Sequence, residues 1–293
     1  MNRTAIGIAC GLAAASIWGG MYVVSKVVLD IIPPFTLVTL RLLLGAITLA
    51  IILMIRGAPK LSRQQVYQVL GVGFVGYGIS LSLQFLGTRL STAANGSLVT
   101  SATPAFVLIF AWMFLGERVT GRRLLALFVA TLGVLAVIDP RSARLDPDLF
   151  LGNLFLIGAA VTWALYSVLV RKVTQSTDVM LFSLIAFLGG LPVAIPAGAW
   201  ELGSSEIGEI SLGVVGGILF LGIISTALAM VLWNTAFAYV DANAASLTFF
   251  AQPVVGTLLG WLFLGEQVTP LFLLGGSLIG LGLVISSRET AEG

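Results

Sequence analysis

The residues able to do chemistry in this chain are polar and aromatic side chains set inside long apolar runs. Trp18, Tyr22 and Lys26 recur at i, i+4 and i+8, which puts all three on one face of a helix. Trp163 and Tyr166 share a face in the same way, and Tyr77, Ser80 and Gln84 follow at i, i+3 and i+7. Asn95, Ser97, Thr100, Ser101 and Thr103 precede Pro104; Asn243, Ser246, Phe250 and Gln252 precede Pro253. Between them Thr226, Met230, Trp233 and Phe237 form a stripe with Asn234 beside it. The chemistry these groups offer is binding: hydrogen bonds and aromatic faces suit a neutral or zwitterionic small molecule. They offer no catalysis. Histidine is absent and Cys10 is the single cysteine, so the commonest general base and metal ligands are missing. No H-E-x-x-H, G-x-S-x-G or Walker lysine motif occurs. The expectation is no catalytic residue, no metal and no cofactor.

The elements that hold these residues must be membrane-spanning. Of 293 residues 58% are hydrophobic and 10% charged, with a mean hydropathy of +1.06. A soluble domain carries about 25% charged residues, so this chain lacks the polar groups to cover a water-facing surface. A net charge of +2, scattered rather than patched, excludes nucleic acid as a partner. Candidate apolar spans extend over Thr4–Val28, Phe35–Ile55, Val66–Gly87, Thr92–Leu115, Leu124–Ile138, Leu151–Val170, Val179–Trp200, Leu212–Tyr239, Asn243–Leu264 and Leu271–Ser286, the fifth being short and expected to begin near Thr120. They are continuously apolar rather than alternating, which selects helices over a β-barrel. Arg3, the run behind it and Ala13-Ala14-Ala15 imitate a signal peptide, but the run continues to Val28 and is expected to remain.

The loops orient the chain. One side takes Arg3, Arg56, Lys60, Arg63, Arg118, Arg122, Arg123, Arg171, Lys172 and Arg288; the other takes Lys26, Arg89, Arg141 and Arg144. By the positive-inside rule both termini are cytoplasmic, with the bacterial inner membrane as the expected location.

Every polar candidate has a packing alternative. Ser, Thr and Gly serve close helix contacts in membranes, and Trp112, Trp200 and Trp261 suit interfacial anchoring. Tyr77, Gln84, Trp163 and Asn234 lie at mid-span and are harder to account for as packing. Pro104 and Pro253 each delete a backbone hydrogen bond, which reads as a pair of kinks near a cavity, serving as hinges or as plain packing. Arg41 lies about six residues, or roughly 9 Å, into its run. It can snorkel outward, meet lipid headgroups or bond carbonyls in a closed gate, and snorkelling is the default reading. No Asp, Glu or His sits at mid-span, so a proton relay built on such a group is not expected.

An internal repeat organises the rest. PAFVLIFAWMFLGERVT from Pro104 aligns without a gap to PVVGTLLGWLFLGEQVT from Pro253, and Trp18 and Lys26 match Trp163 and Arg171. Each half, residues 1–145 and 146–293, then holds an odd number of spans, so equal folds must sit upside down relative to each other. The expected class is all-α integral membrane, ten transmembrane helices as two inverted five-helix repeats, the signature of secondary transporters. Both L-G-E-x-V-T strings read as turns, with Thr120 and Thr269 capping the next helix.

These residues resemble the EamA-type domains of the drug/metabolite transporter superfamily: a Trp early in each half, then Pro followed by W-x-F-L-G-E-x-V-T, with Arg41 matching an arginine typical of the domain. The resemblance covers nearly the whole chain and extends to bacterial amino-acid exporters, including the aromatic amino acid type. It implies a transporter rather than an enzyme, working as a monomer in the bilayer on a small-molecule substrate, an amino acid or similar metabolite. A broad drug exporter is the alternative, and a non-transporting receptor or scaffold a distant third. The substrate-path candidates are Trp18, Tyr22, Tyr77, Ser80, Gln84, Asn95, Ser101, Trp163, Tyr166, Trp233, Asn234, Phe250 and Gln252. The hinge or gate candidates are Pro104, Pro253, Lys26 and Arg41.

Overall fold

The computed structural model describes residues 3–91, 99–138, 149–205, 207–264 and 270–292; within these helices a few side chains, Tyr22, Lys26 and Trp261 among them, lie outside the described set, as do Asn95 and Glu266. Helix α1 covers Arg3–Leu29, α2 Pro34–Arg56 and α3 Arg63–Leu90, the last with a π-helical stretch at Phe74–Ser80. Then come α4 (Thr103–Leu115), α5 (Gly121–Ile138), α6 (Phe150–Thr174) and α7 (Val179–Ser204). Helix α8 is Leu212–Tyr239, with a π-helical stretch at Phe220–Leu228. Helix α9 runs as Ala242–Leu247, a 3₁₀ turn at Thr248–Phe250 and Ala251–Leu264, and α10 is Pro270–Glu292. Helices α1, α2, α3, α6, α7 and α8 are each long and apolar enough to cross a bilayer. Among the described residues no strand occurs. Large apolar side chains such as Ile47, Met54, Ile55, Phe128 and Leu212 are exposed, as are Trp112 and Trp200. In water this would be an aggregation surface; in lipid it is the solvated one.

Local chemistry explains most boundaries. Ser62 and Gln65 form a reciprocal capping box at the start of α3. Asp178 accepts from Met180 N and Leu181 N at the start of α7, and Thr120 accepts from Arg123 N at the start of α5. Gly116 ends α4 at φ 67°, a left-handed conformation that costs glycine nothing, and Glu117 N closes back on Ala111 O at 3.2 Å. Glu201, near the end of α7, is buried and accepts from Thr36 N at 2.9 Å, satisfying an orphan amide at the start of α2.

One expectation changes. Pro104 and Pro253 do not kink continuous helices; each lies in the first turn of a helix, where its missing N–H would have had no intrahelical partner. The interruption lies just upstream, as a turn at residues 101–102 and as the 3₁₀ turn at Thr248–Phe250. The two breaks occupy matching places in the two halves.

Packing is reciprocal between the halves. Helix α1 packs on α8 and α9 as α6 packs on α3 and α4; α2 lies along α7, and α5 along α10. The repeat-related glycines Gly133 and Gly282 make this concrete. A Cβ on Gly133 would lie 2.6 Å from Gly275 O, and one on Gly282 2.8 Å from Ala126 O, so each glycine admits the backbone of the helix that carries the other. Gly45 likewise meets Thr226 while Gly190 meets Tyr77. By contrast, Gly276 and Gly280, a spacing typical of close packing, face nothing within 4 Å among the described residues.

Candidate functional site

Where the halves meet, the repeat-related Trp18 and Trp163 touch edge to face with ring centroids 5.7 Å apart. Trp233 lies 5.3 Å and Phe249 6.1 Å from Trp18, so one aromatic cluster is assembled from α1, α6, α8 and α9. Beside it opens a narrow cavity lined by Trp18, Met21, Arg41, Ser80, Leu81, Gln84, Thr100, Thr103, Ala159, Ala160, Trp163, Met230, Phe249 and Gln252. The lining comes from α1, α3, α4, α6, α8 and α9, with Arg41 of α2 and Thr100 just ahead of α4 added. Among these lining residues there is no carboxylate.

The π-helical stretch of α8 shapes one wall. Widening the turn directs Ser225 O to the indole N–H of Trp18 at 3.0 Å, and lets Thr226 Oγ1 reach back five residues to Leu221 O at 2.7 Å. Such bulges free backbone and side-chain groups for partners outside the helix. Arg41 uses them: its Nε donates to Thr226 Oγ1 at 3.1 Å and its Nη2 to Ser225 Oγ at 3.3 Å and Met21 Sδ at 3.4 Å. Its guanidinium also lies 5.0 Å from the ring centre of Phe85. Arg41 is 0% exposed, so the default snorkelling reading is corrected: the π-helical turn offers it acceptors inside the bundle.

Several polar atoms on the cavity wall are buried without a hydrogen-bond partner among the described residues: Trp163 Nε1, Gln252 Oε1 and Thr103 Oγ1. Ser80 is already engaged, donating to Ala159 O at 2.9 Å. A smaller void shares Met21 and Gln84 with the main cavity and continues along Ser25, Leu29 and Thr88 toward the C-terminal ends of α1 and α3.

Other candidates fall into a separate network. The hydroxyls of Tyr77 and Tyr166 are hydrogen-bonded to each other; Tyr166 also donates to Asn234 Oδ1 at 2.8 Å, and Asn234 Nδ2 donates to Ser183 Oγ at 2.9 Å. Trp233 Nε1 donates to Ser167 Oγ at 3.1 Å. All of these side chains are buried, and none lines the cavity. Ser101 and Phe250 are buried outside its lining too. Of the path candidates the cavity therefore brings together Trp18, Ser80, Gln84, Trp163 and Gln252. Asn95 and the side chains of Tyr22 and Lys26 lie outside the described residues. Met21, Leu81, Ala159, Ala160 and Phe249 were missed by sequence reasoning. Phe249 was detectable, standing three residues before Gln252 on the same helical face.

At the end of the bundle opposite the smaller void, charges close the structure. Glu117 accepts from Ala242 N at 2.9 Å and Asn243 Nδ2 at 2.7 Å, with Arg123 and Arg171 each 3.4 Å away. Arg123 also meets Asp241 at 3.4 Å, and Arg171 donates to Phe237 O and Val240 O. The L-G-E string is thus a turn whose glutamate also ties the first half to the α8–α9 junction.

The model of the EamA-like transporter family matches residues 5–138 and 150–288. The chain is 26% identical to "Uncharacterized transporter YoaV" of Bacillus subtilis, over 98% of this chain and 97% of that one. It is 28% identical to a "Probable amino-acid metabolite efflux pump" of Escherichia coli, over 94% and 92%. A solved structure superposes with a TM-score of 0.82 over 98% of each chain at 18% identity, a likeness of fold alone.

Proposed function

The chain belongs to the EamA-like transporter family, and from that premise we propose that it is a secondary exporter of small zwitterionic metabolites, amino acids first. The observation that carries this reading is the cavity between Trp18 and Trp163, walled by aromatic rings, with the buried Arg41 and several polar atoms that have no partner among the described residues. A zwitterion with an apolar side chain supplies what that wall lacks. The similarity to the Escherichia coli efflux pump points the same way. Multi-pass insertion follows from the family and the apolar helices. The finer architecture is also our reading: ten transmembrane helices, two inverted repeats at 1–145 and 146–293, termini in the cytoplasm, a working monomer in the inner membrane. The reciprocal packing of the halves supports the repeats, and the loop charges support the orientation.

In this reading the halves rock about the cavity. The helix breaks upstream of Pro104 and Pro253 serve as hinges. The Glu117–Arg171 cluster closes the cytoplasmic side. Arg41 belongs to the substrate path in place of the gate. The drug-exporter alternative is weaker, because a lipophilic cation would meet Arg41 and no carboxylate in the cavity wall. Liposomes tested with a panel of labelled amino acids and lipophilic cations decide between them. Saturable amino-acid flux with countertransport is expected; flux of cations alone would overturn the reading.

Coupling is the next expectation. The described cavity lining offers no carboxylate to carry a proton, so flux should follow the substrate gradient. A pH gradient imposed on liposomes without a substrate gradient should drive no accumulation. Uphill uptake abolished by a protonophore would sink the facilitator reading.

A further inference from the structure

We propose that a groove between Arg3 of α1 and Arg56 of α2 binds an anionic phospholipid, whose phosphate meets the two guanidinium groups and the hydroxyl of Thr177 while an acyl chain follows α8. The groove is separate from the transport cavity, and its occupant does not depend on which solute is carried; only its cytoplasmic placement is shared with the reading above. It measures ≈ 390 Å³, and Arg3, Arg56, Thr177, Asp178, Val231 and Tyr239 are among the residues that line it. Ligand sites commonly occupy about 300–1,000 Å³. Position is the first support. Arg3 opens α1 and Arg56 ends α2, and both helices are long and apolar enough to cross a bilayer. Both guanidinium groups therefore stand at the depth of lipid headgroups.

Charge is the second support. The lining holds two arginines and one carboxylate, Asp178. That carboxylate is engaged twice: its Oδ1 accepts from Met180 N and Leu181 N, and its Oδ2 lies 3.2 Å from Arg56 Nη2. The Arg56 side chain is 56% exposed. An ion pair so open to water contributes little and leaves other guanidinium donors for a second anion. Arg3 meets no carboxylate among the described residues; its guanidinium lies 5.9 Å from the ring centre of Tyr239. Two arginines against one carboxylate leave a single positive charge, which a phosphodiester monoanion balances.

The third support is a buried hydroxyl. Thr177 is 7% exposed, and its Oγ1 has no hydrogen-bond partner among the described residues. Two other threonines of the groove are satisfied: Thr174 Oγ1 donates to Val170 O and Thr235 Oγ1 to Val231 O, both at 2.7 Å. A buried hydroxyl left open calls for a partner from outside the chain. The shape of the groove selects a lipid over a free phosphate. It follows α8 from Tyr239 to Val231, about eight residues or roughly 12 Å along the helix. Beside Arg56, Met54 and Ile55 are exposed to lipid. A phosphate ion leaves that apolar furrow empty, whereas an acyl chain fills it.

The test is a competition assay on the full chain in detergent micelles. Bound tritiated phosphatidylglycerol is displaced with unlabelled phosphatidylglycerol, phosphatidylcholine of the same acyl chains, or inorganic phosphate. Phosphatidylglycerol is expected to compete about tenfold better than phosphatidylcholine, and inorganic phosphate not at all. Arg3→Gln should cut that preference about fivefold, the worth of one basic residue at an anionic surface. Thr177→Val removes no internal bond and keeps the proposal testable should the arginine variant fail to fold. It should weaken both lipids about threefold, since both carry the phosphate that the hydroxyl meets. Equal competition by the two lipids, or unchanged binding in these variants, would overturn the site. Displacement by inorganic phosphate would assign the groove to a free anion and overturn the lipid. No transport enters these measurements, so their failure leaves the exporter reading standing, and absence of amino-acid flux in liposomes leaves this site standing.

Discussion

The cavity wall and the tyrosine–asparagine network beside it share three helices and the same kinds of residue. Helix α3 gives Ser80 to one and Tyr77 to the other; α6 gives Trp163 and Tyr166; α8 gives Met230 and Asn234. Depth does not separate them, since Trp163 and Tyr166 are both buried three residues apart. Hydrogen-bond partners do. In the network Tyr77, Tyr166, Asn234 and Ser183 form an unbroken chain. On the wall Trp163 Nε1, Gln252 Oε1 and Thr103 Oγ1 have no partner among the described residues. A buried polar chain with its bonds made locks helices together, whereas the same chemistry left open at a cavity is fit for a ligand.

Three substitutions press on that contrast. The largest effect is expected for Tyr166→Phe, which keeps the ring but deprives Asn234 Oδ1 and Tyr77 of their partner. Stability should fall by about 1–3 kcal/mol, seen as a lower Tm in detergent, with KM for substrate changed little. A large KM change at constant Tm would move Tyr166 into the site. Gln252→Met, nearly isosteric, removes an acceptor that has no internal bond to lose. Tm should hold while kcat/KM falls about tenfold, a difference of about 1.4 kcal/mol; a drop in Tm with normal transport would make Gln252 structural. The smallest effect is expected for Thr103→Val, about threefold in kcat/KM and roughly 0.6 kcal/mol. A Tm that stays level or rises would show that the hydroxyl does not hold the fold.

Parts of the site were legible in the sequence for identifiable reasons. Trp18 and Trp163 stand out as repeat partners, and Gln84 and Gln252 as amides inside apolar runs, where every polar group must answer for its place. Tyr77, Trp233 and Asn234 stood out by the same signal yet belong to the network, because periodicity names a helix face without naming its neighbour. Arg41 was misread in its position along the run: distance to the helix end favours snorkelling, while the acceptors that keep it inside come from α8, far away in sequence. The prolines marked the right turns, but chain order alone could not place the break one turn upstream of each.

Composition and continuous apolar runs determine by themselves that this chain is helical and lives in a membrane, since lipid admits only helices and closed barrels, and a barrel would need alternating polarity. The repeated Pro-to-Thr strings determine that the halves are related. Which polar atoms are satisfied was decided only by tertiary structure. A hydrogen bond depends on atoms within about 3 Å, and in this fold those atoms come from helices far apart in sequence, as for Trp18 with Ser225, Arg41 with Thr226 and Tyr166 with Asn234.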